Sequence, residues 1–324
     1  MVCDPAIPVV HTNLPGVSIE VNSCDIDVRD LRIFGKKIRK ARLLAAALIL
    51  LNIAVWKDAL PGRAAAKMIF FDAGHGDAAL LMLRGGENIL IDAGSGGSEG
   101  ALAIGKNVIA PYLWNNGIGK IDLAIVSHPH EDHLGGMLYV LENFKVGAVI
   151  DNGLMYPETD RLSRRYIRIL EARGIRRIRA ARGDVMNLGD AEIRILNPGL
   201  GSGRRDPNDD SIVARISSSG LSFLMCADAT SVAMEEMMSE KDALASDVVK
   251  VPHHGGKIGD IGIVKEFFDA ARPKLFVISC RDKEASTAVT GIISSDIYIT
   301  GKNGAVEIRE DSDGELKIRS VVKK

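Results

Sequence analysis

Three histidines and two carboxylates fall within six consecutive residues, His128, His130, Glu131, Asp132 and His133, in the stretch Ser-His-Pro-His-Glu-Asp-His-Leu-Gly-Gly at 127–136. Imidazole and carboxylate suit a borderline divalent ion such as Zn²⁺. A turn can aim alternate side chains at one point and the intervening ones at a second. His128 and His130 would then share one ion, and Asp132 and His133 would serve another. Residues 121–126 are apolar apart from Asp122 and predict a buried strand, which Pro129 stops. Residues 134–144 carry apolar side chains at helical spacing behind two glycines that permit a close approach. The predicted order is strand, ligand turn, helix. A plain charged surface turn explains the pattern poorly, because histidine is normally scarce and solitary.

The chain has seven histidines, and a second group repeats the arrangement. His253 and His254 follow an apolar run that Pro252 ends, so they too should sit just beyond a strand. Two ligand turns at strand ends are what a metal cluster closed from opposite sides requires. Asp92, before Ala93-Gly94, and Asp77, after Gly74-His75-Gly76, lie at further strand ends; they are candidates for holding ligands in place, although such acids often only cap turns.

These phrases together carry a family resemblance. The motif H-x-H-x-D-H after a strand, a later strand-end Asp and a final strand-end His resemble the metallo-β-lactamase fold. The longer set, Phe-Phe-Asp-Ala-Gly-His-Gly-Asp at 70–77, Ile-Leu-Ile-Asp-Ala-Gly at 89–94 and Val-Pro-His-His-Gly at 251–255, resembles the C-terminal hydrolase domain of the ComEC competence proteins. The resemblance covers about residues 68–321. It implies an α/β fold, the metallo-β-lactamase αβ/βα sandwich with two β-sheets flanked by outer helices. It also implies two divalent ions, Zn or Mn, with Asp228 bridging them; capping the helix predicted from 231 is the lesser alternative for Asp228, because a metal pair needs an anionic bridge to offset its own repulsion.

On that basis His128, His130 and Asp228 would hold one ion. Asp132, His133, Asp228 and one of the 253/254 pair would hold the other. His253 is assigned to the metal and His254 to leaving-group protonation or phosphate binding, while either order satisfies the spacing. Asp132 would orient a metal-bound hydroxide, the nucleophile expected once a metal lowers the pKa of water from 15.7 to about 7. Three departures from the family stand out. No histidine occurs between His133 and His253, so Asn208, Asp209 or a water would complete the first site. His75 replaces a usual Gln and could add a substrate contact or cap its turn, of which the cap is the expected role. The segment after Ser279 reads Cys280-Arg281-Asp282-Lys283-Glu284 in place of the family's Asn and His-Pro phrase.

A chain of 324 residues with 46% apolar content can fill one large domain plus an appendage, and a net charge of -1 gives no global attraction to nucleic acid. Four dispersed cysteines form neither a zinc knuckle nor a disulfide framework. Residues 67–324 are expected to form the hydrolase domain and 1–66 a separate N-terminal segment. Within the latter, Lys36, Lys37, Arg39, Lys40 and Arg42 precede an uncharged run at 43–56. As a helix this run spans about 21 Å against a hydrocarbon core of roughly 30 Å. It reads as a membrane anchor placing the hydrolase outside the cytoplasm; a signal-like segment of a secreted protein and a buried helix of a cytoplasmic one are the alternatives. No other run is long enough to span a bilayer, so DNA transport would need a separate membrane channel partner.

Nine arginines lie within the twenty-two residues 161–182. On a helix Arg161, Arg164, Arg165 and Arg168 share one face, while Leu162, Ile169 and Leu170 turn to the core. Guanidinium forks suit phosphate oxygens, although a charge run is often only a solvated face. The expected activity is a metal-dependent phosphodiesterase or nuclease acting on DNA. Hydrolysis of a lactone, lactam or thioester, and a non-catalytic DNA-binding module at the membrane, are the alternatives.

Overall fold

The computed structural model describes residues 66–321 except 96, 98–99, 155–159, 200–205 and 312–314, together with Leu48. The predicted anchor at 43–56 therefore lies outside the described residues, Leu48 apart. Among the described residues no helix is long and apolar enough to cross a membrane. The chain divides into residues 1–62 and a second compact unit, 63–324.

That second unit is built on two mixed sheets. The first runs in the order β15 (Leu316–Val321), β14 (Ala305–Glu310), β1 (Lys67–Phe70), β2 (Ala78–Met82), β3 (Asn88–Ala93), β4 (Lys120–Ile125), β5 (Lys145–Asp151) and β6 (Arg176–Arg179). The second runs in the order β13 (Asp296–Ile299), β12 (Leu275–Ile278), β11 (Val248–Lys250), β10 (Leu221–Met225), β9 (Val213–Ser218), β8 (Ala191–Asn197) and β7 (Val185–Leu188). The strands that matter for the site are β3, β4 and β5 in the first sheet. Their counterparts in the second are β10, β11 and β12. Within each trio the neighbours pair in parallel. One apolar cluster, with Phe70, Ile89, Ile125, Ile193, Phe223 and Val277, fills the space between the sheets. Two more lie under the helices on the outer faces. The result is the expected αβ/βα sandwich. Parallel strands buried on both faces explain the continuous apolar runs of β3, β11 and β12.

Helices α1 (Ala110–Asn115), α2 (Glu131–Asn143) and α3 (Asp160–Arg173) follow in chain order, then α4 (Ser231–Met237) and α5 (Ile261–Ala271). Two local expectations change. The sequence over 101–115 predicts a helix interrupted at Pro111, yet a π-helical turn at Gly105–Ile109 passes directly into α1 and Pro111 falls at its first turn, where a missing N–H costs little. Helix α2 begins earlier than the apolar spacing suggests. Glu131 and Asp132 occupy its first turn, where carboxylates complement the helix dipole, and His133 follows them.

Close backbone approach fixes α2 against the β3 loop. The Gly136 N–H donates to Gly94 O at 2.6 Å, and a Cβ at Gly136 would fall 2.0 Å from Ala93 O, so no side chain fits there. The turn before β2 (Ala78–Met82) docks in the same way: Gly76, at φ +133°, would place a Cβ 2.5 Å from Asp132 O.

A candidate metal centre at the carboxyl ends of the strands

Asp92 ends β3, Ser127 and His128 follow β4, Asp228 follows β10, His253 and His254 follow β11, and Ser279 follows β12. The two sheets thus deliver His128, Asp228, His253 and His254 from the carboxyl ends of parallel strands, where loops can converge, and α2 adds Asp132 and His133 from its start. Asp92, Ala227, His253 and His254 all adopt positive φ (50°, 46°, 47° and 55°), a conformation L-residues avoid. Backbone strain of this kind is held only where surrounding structure dictates it, and here it gathers at the site. The His253 N–H donates to Ala227 O at 2.9 Å, joining the two turns of the second sheet.

Asp132, His133, Asp228 and His254 each present one ligand atom within 4.8 Å of all the others. His133 Nε2 lies 3.1 Å from Asp228 Oδ1, and His254 Nε2 lies 3.3 Å from Asp132 Oδ2 and 3.5 Å from Asp228 Oδ2. His133 Nε2, Asp228 Oδ1 and His254 Nε2 are nevertheless buried without an aligned hydrogen bond. Side chains that approach so closely yet do not bond to one another are aimed at a shared point, as ligands of one cation would be. The second sheet thus brings His254 into this group. His253 stands at the rim, 28% exposed, with Nε2 3.9 Å from Asp228 Oδ2. His128 and His130 form a neighbouring pair, Nε2 to Nδ1 at 3.0 Å, and the His128 ring lies 4.2 Å from that of His133.

The histidines are fixed from behind. Asp92 Oδ2 accepts from His133 Nδ1 at 2.8 Å and from the Ser127 hydroxyl at 2.6 Å, while its Oδ1 accepts from the Ser127 N–H. Ser127 Oγ also lies 3.0 Å from His128 Nδ1, and Ser279 O accepts from His254 Nδ1 at 2.9 Å. Such partners set which ring nitrogen faces the metal. Asp77 lies 3.4 Å from His254 Nδ1 and pairs with Lys250 Nζ, which also donates to Ala227 O.

Lys250 is 1% exposed, and sequence reasoning did not single it out. A lone lysine inside the apolar run 248–251 was the available signal. Burial alone would drive its amine toward neutrality, but Asp77 and Asp228 hold its pKa above the usual lysine value.

The electrostatics have the same sense. Burial opposes ionisation of Asp132 and Asp228, yet the adjoining His133 and His254 hold both carboxyls well below the usual range. Burial also disfavours charge on His133 and His254, and there the carboxylates prevail and raise both imidazoles well above 6.5. His128 is driven the other way, first by burial and then by His133, and is neutral as a ligand must be. Four buried or partly buried aspartates face one lysine and the two imidazoles they keep protonated, so a cation that displaces those protons meets an excess of anionic charge. A divalent cation fits both that charge and the unbonded ligand atoms.

Asn208 and Asp209 do not join this group. Asp209 Oδ1 accepts from the Thr230 hydroxyl, and Asn208 Oδ1 is buried without a partner. Beside His128 lies a small pocket lined by Pro129, Asp151, Tyr166 and Arg177, with Tyr166 contributed by α3. Arg161, Arg164, Arg165 and Arg168 are exposed on that helix, and Ile169 and Leu170 are buried. Arg165 is tied to Glu142 on α2 at 3.0 Å.

The model of the metallo-beta-lactamase superfamily matches residues 73–272. ComE operon protein 3 of Bacillus subtilis (strain 168) is 29% identical over 181 residues, which make up 55% of this chain and 22% of that protein. Among solved structures, Igni18, a metallo hydrolase from Ignicoccus hospitalis KIN4/I, aligns with a TM-score of 0.47 at 18% identity, covering 80% of this chain and 100% of that one. The metallo-beta-lactamase fold protein YhfI from Bacillus subtilis aligns with a TM-score of 0.49 at 11% identity, covering 75% and 100%. With its ligand turns, its sandwich and a family match over most of the second unit, the chain belongs to the metallo-beta-lactamase superfamily and is a metal-dependent hydrolase of that superfamily.

Proposed function

We propose that this hydrolase is a phosphodiesterase that acts on DNA. The observation that carries the reading is the convergence of Asp132, His133, Asp228 and His254 on one point, with His133 Nε2, Asp228 Oδ1 and His254 Nε2 buried and unbonded there. Asp132, His133, Asp228 and His254 would hold one divalent ion, Zn or Mn, and His128 and His130 with Asp228 a second. Bound metal supplies Lewis acidity and makes water a nucleophile near neutral pH.

The chain's own groups do the rest. Asp92, Ser127 and Ser279 keep the imidazoles oriented. His253, at the rim with Nε2 toward Asp228, is placed to meet a leaving oxygen or a phosphate oxygen. The exposed arginines of α3 and the resemblance to the hydrolase domain of the competence proteins support DNA as the substrate. If residues 43–56 anchor the chain, the reaction takes place at a membrane.

Cleavage of bis(p-nitrophenyl) phosphate by the full chain supplied with Mn²⁺ or Zn²⁺ tests the reading. Turnover should vanish on chelation and fall by on the order of 10³-fold in Asp132→Ala. Turnover of a lactam or thioester with none of the phosphodiester would transfer the reading to that chemistry. No turnover, with salt-dependent DNA binding that survives chelation, would leave a binding module.

A further inference from the structure

We propose that Arg281 and His75, held together by Glu284, form a clamp that grips phosphoryl oxygens of the substrate at the mouth of the metal centre. The proposal rests on the phosphodiesterase reading above. Residues 209 positions apart meet here: Glu284 Oε2 accepts from His75 Nδ1 at 3.1 Å. The same oxygen accepts from the Arg281 N–H at 3.2 Å, and Oε1 accepts from Arg281 Nη1 at 3.3 Å. Both carboxylate oxygens of Glu284 are thus spent on holding the other two residues. Burial works slightly against its ionisation, and these hydrogen bonds keep it ionised.

The cluster borders the centre. The His75 ring lies 4.5 Å from the ring of His254, and its Nε2 is 3.9 Å from Asp132 Oδ2, yet the side chain is 50% exposed. His75, expected to cap its turn rather than contact substrate, therefore faces both the metal ligands and solvent. The loop that carries Arg281 and Glu284 is fastened at both ends to the ligand turn. Ser279 O accepts from His254 Nδ1, and the Ser286 N–H donates to Gly255 O at 2.9 Å.

Arg281 crosses the mouth. Its Nε passes 3.8 Å from where a Cβ on Gly74 would lie, and its Nη2 passes 3.9 Å from the same position on Gly97. Its side chain is 62% exposed, and among the described residues its side-chain hydrogen bond is the one from Nη1 to Glu284. The Nε and Nη2 donors are left for a ligand, and a guanidinium fork matches a phosphoryl group. As a mere surface ion pair Arg281–Glu284 would contribute little to stability and nothing to substrate binding. Glu284 is a positioning residue, whereas Arg281 and His75 touch the substrate.

The test uses the full chain loaded with Mn²⁺ and two readouts: KM and kcat for bis(p-nitrophenyl) phosphate, and the Kd of inorganic phosphate by calorimetry. Arg281→Ala should raise both KM and the phosphate Kd about tenfold while kcat changes less than about threefold, and Arg281→Lys should recover part of each. Glu284→Gln should shift both constants in the same direction by a smaller factor, with an unchanged melting temperature. Wild-type turnover with KM and Kd unaltered in Arg281→Ala would overturn the clamp and leave the phosphodiesterase standing. Phosphate binding that depends on Arg281, without phosphodiester turnover, would keep the clamp and remove the phosphodiesterase. A wild type that fails to bind phosphate would overturn the clamp outright.

Discussion

The turn at 127–136 and the segment at 161–182 are equally dense in charged or ligating side chains, and the fold uses them in opposite ways. The first is drawn inward: His128 and His133 are buried and their Nδ1 atoms are fixed by Ser127 and Asp92, while His133 Nε2 faces the point shared with Asp228 and His254 and His128 Nε2 meets His130. The second is spread outward and divided among tasks. Arg177 donates from Nε to the buried carboxylate of Asp151 at 2.6 Å, where the Tyr166 hydroxyl also donates at 2.6 Å. Arg173 closes the end of α2 through the carbonyls of Glu142 and Phe144, and Arg182 reaches Leu196 O and Glu236. Short side chains on rigid turns can be aimed; long ones on a helix face are available for whatever the tertiary fold brings near them.

Perturbation should separate the two regions. The largest stability effect is expected behind the metal centre, in Lys250→Met, which removes the ion-pair partner of buried Asp77 and leaves it His254 at 3.4 Å, at a cost of about 3–5 kcal/mol. Urea unfolding of the metal-free protein would measure it. The double variant Lys250→Met/Asp77→Asn should regain much of the loss, and a simple sum of the two single losses would contradict the pairing.

Next comes Tyr166→Phe, which removes one donor from buried Asp151 and should cost about 1–3 kcal/mol by the same method. This tests whether part of the arginine segment is structural. The smallest stability change, within about 0.5 kcal/mol, is expected for Arg161→Ala and Arg168→Ala. If the exposed face binds DNA, each should lower the slope of log K against log salt by about one. A slope unchanged in both variants would reduce that face to a solvated surface.

Metal uptake adds a pH-linked contrast. Burial opposes charge on His133 and His254, but the surrounding carboxylates raise both above 6.5, so at neutral pH the metal-free protein holds protons there. Binding of Zn²⁺ should release them, and affinity should fall as pH falls. Calorimetry in buffers of different ionisation enthalpy reads the proton count, and no proton release would contradict the assignment.

Much of the site was legible because its chemistry is local. Histidine and aspartate after an apolar run that a proline ends can only lie at a strand end, and both ligand turns form there. The choice within the 253/254 pair was not legible, because both residues take left-handed backbone that alternation along a strand does not foresee. Lys250 was missed because one lysine in an apolar run reveals nothing of Asp77, which lies 173 positions earlier in the sequence. The meeting of His75 with Glu284 depends on pairing between elements at opposite ends of the unit. The arginine helix was read correctly in its exposed face and its buried Ile169 and Leu170, but not in the ties that Arg165, Arg173 and Arg177 make to the body.

The measurement that bears most directly on the centre is metal stoichiometry by elemental analysis of the full chain, wild type beside Asp228→Ala. Asp228 lies between His133 and His254 and is the carboxylate expected to serve both ions. Two divalent ions per wild-type chain, with most of the metal lost in a folded Asp228→Ala variant, is the predicted result. A wild-type chain that holds no metal after Zn²⁺ or Mn²⁺ is supplied, or an Asp228→Ala variant that retains the full complement, would contradict the account.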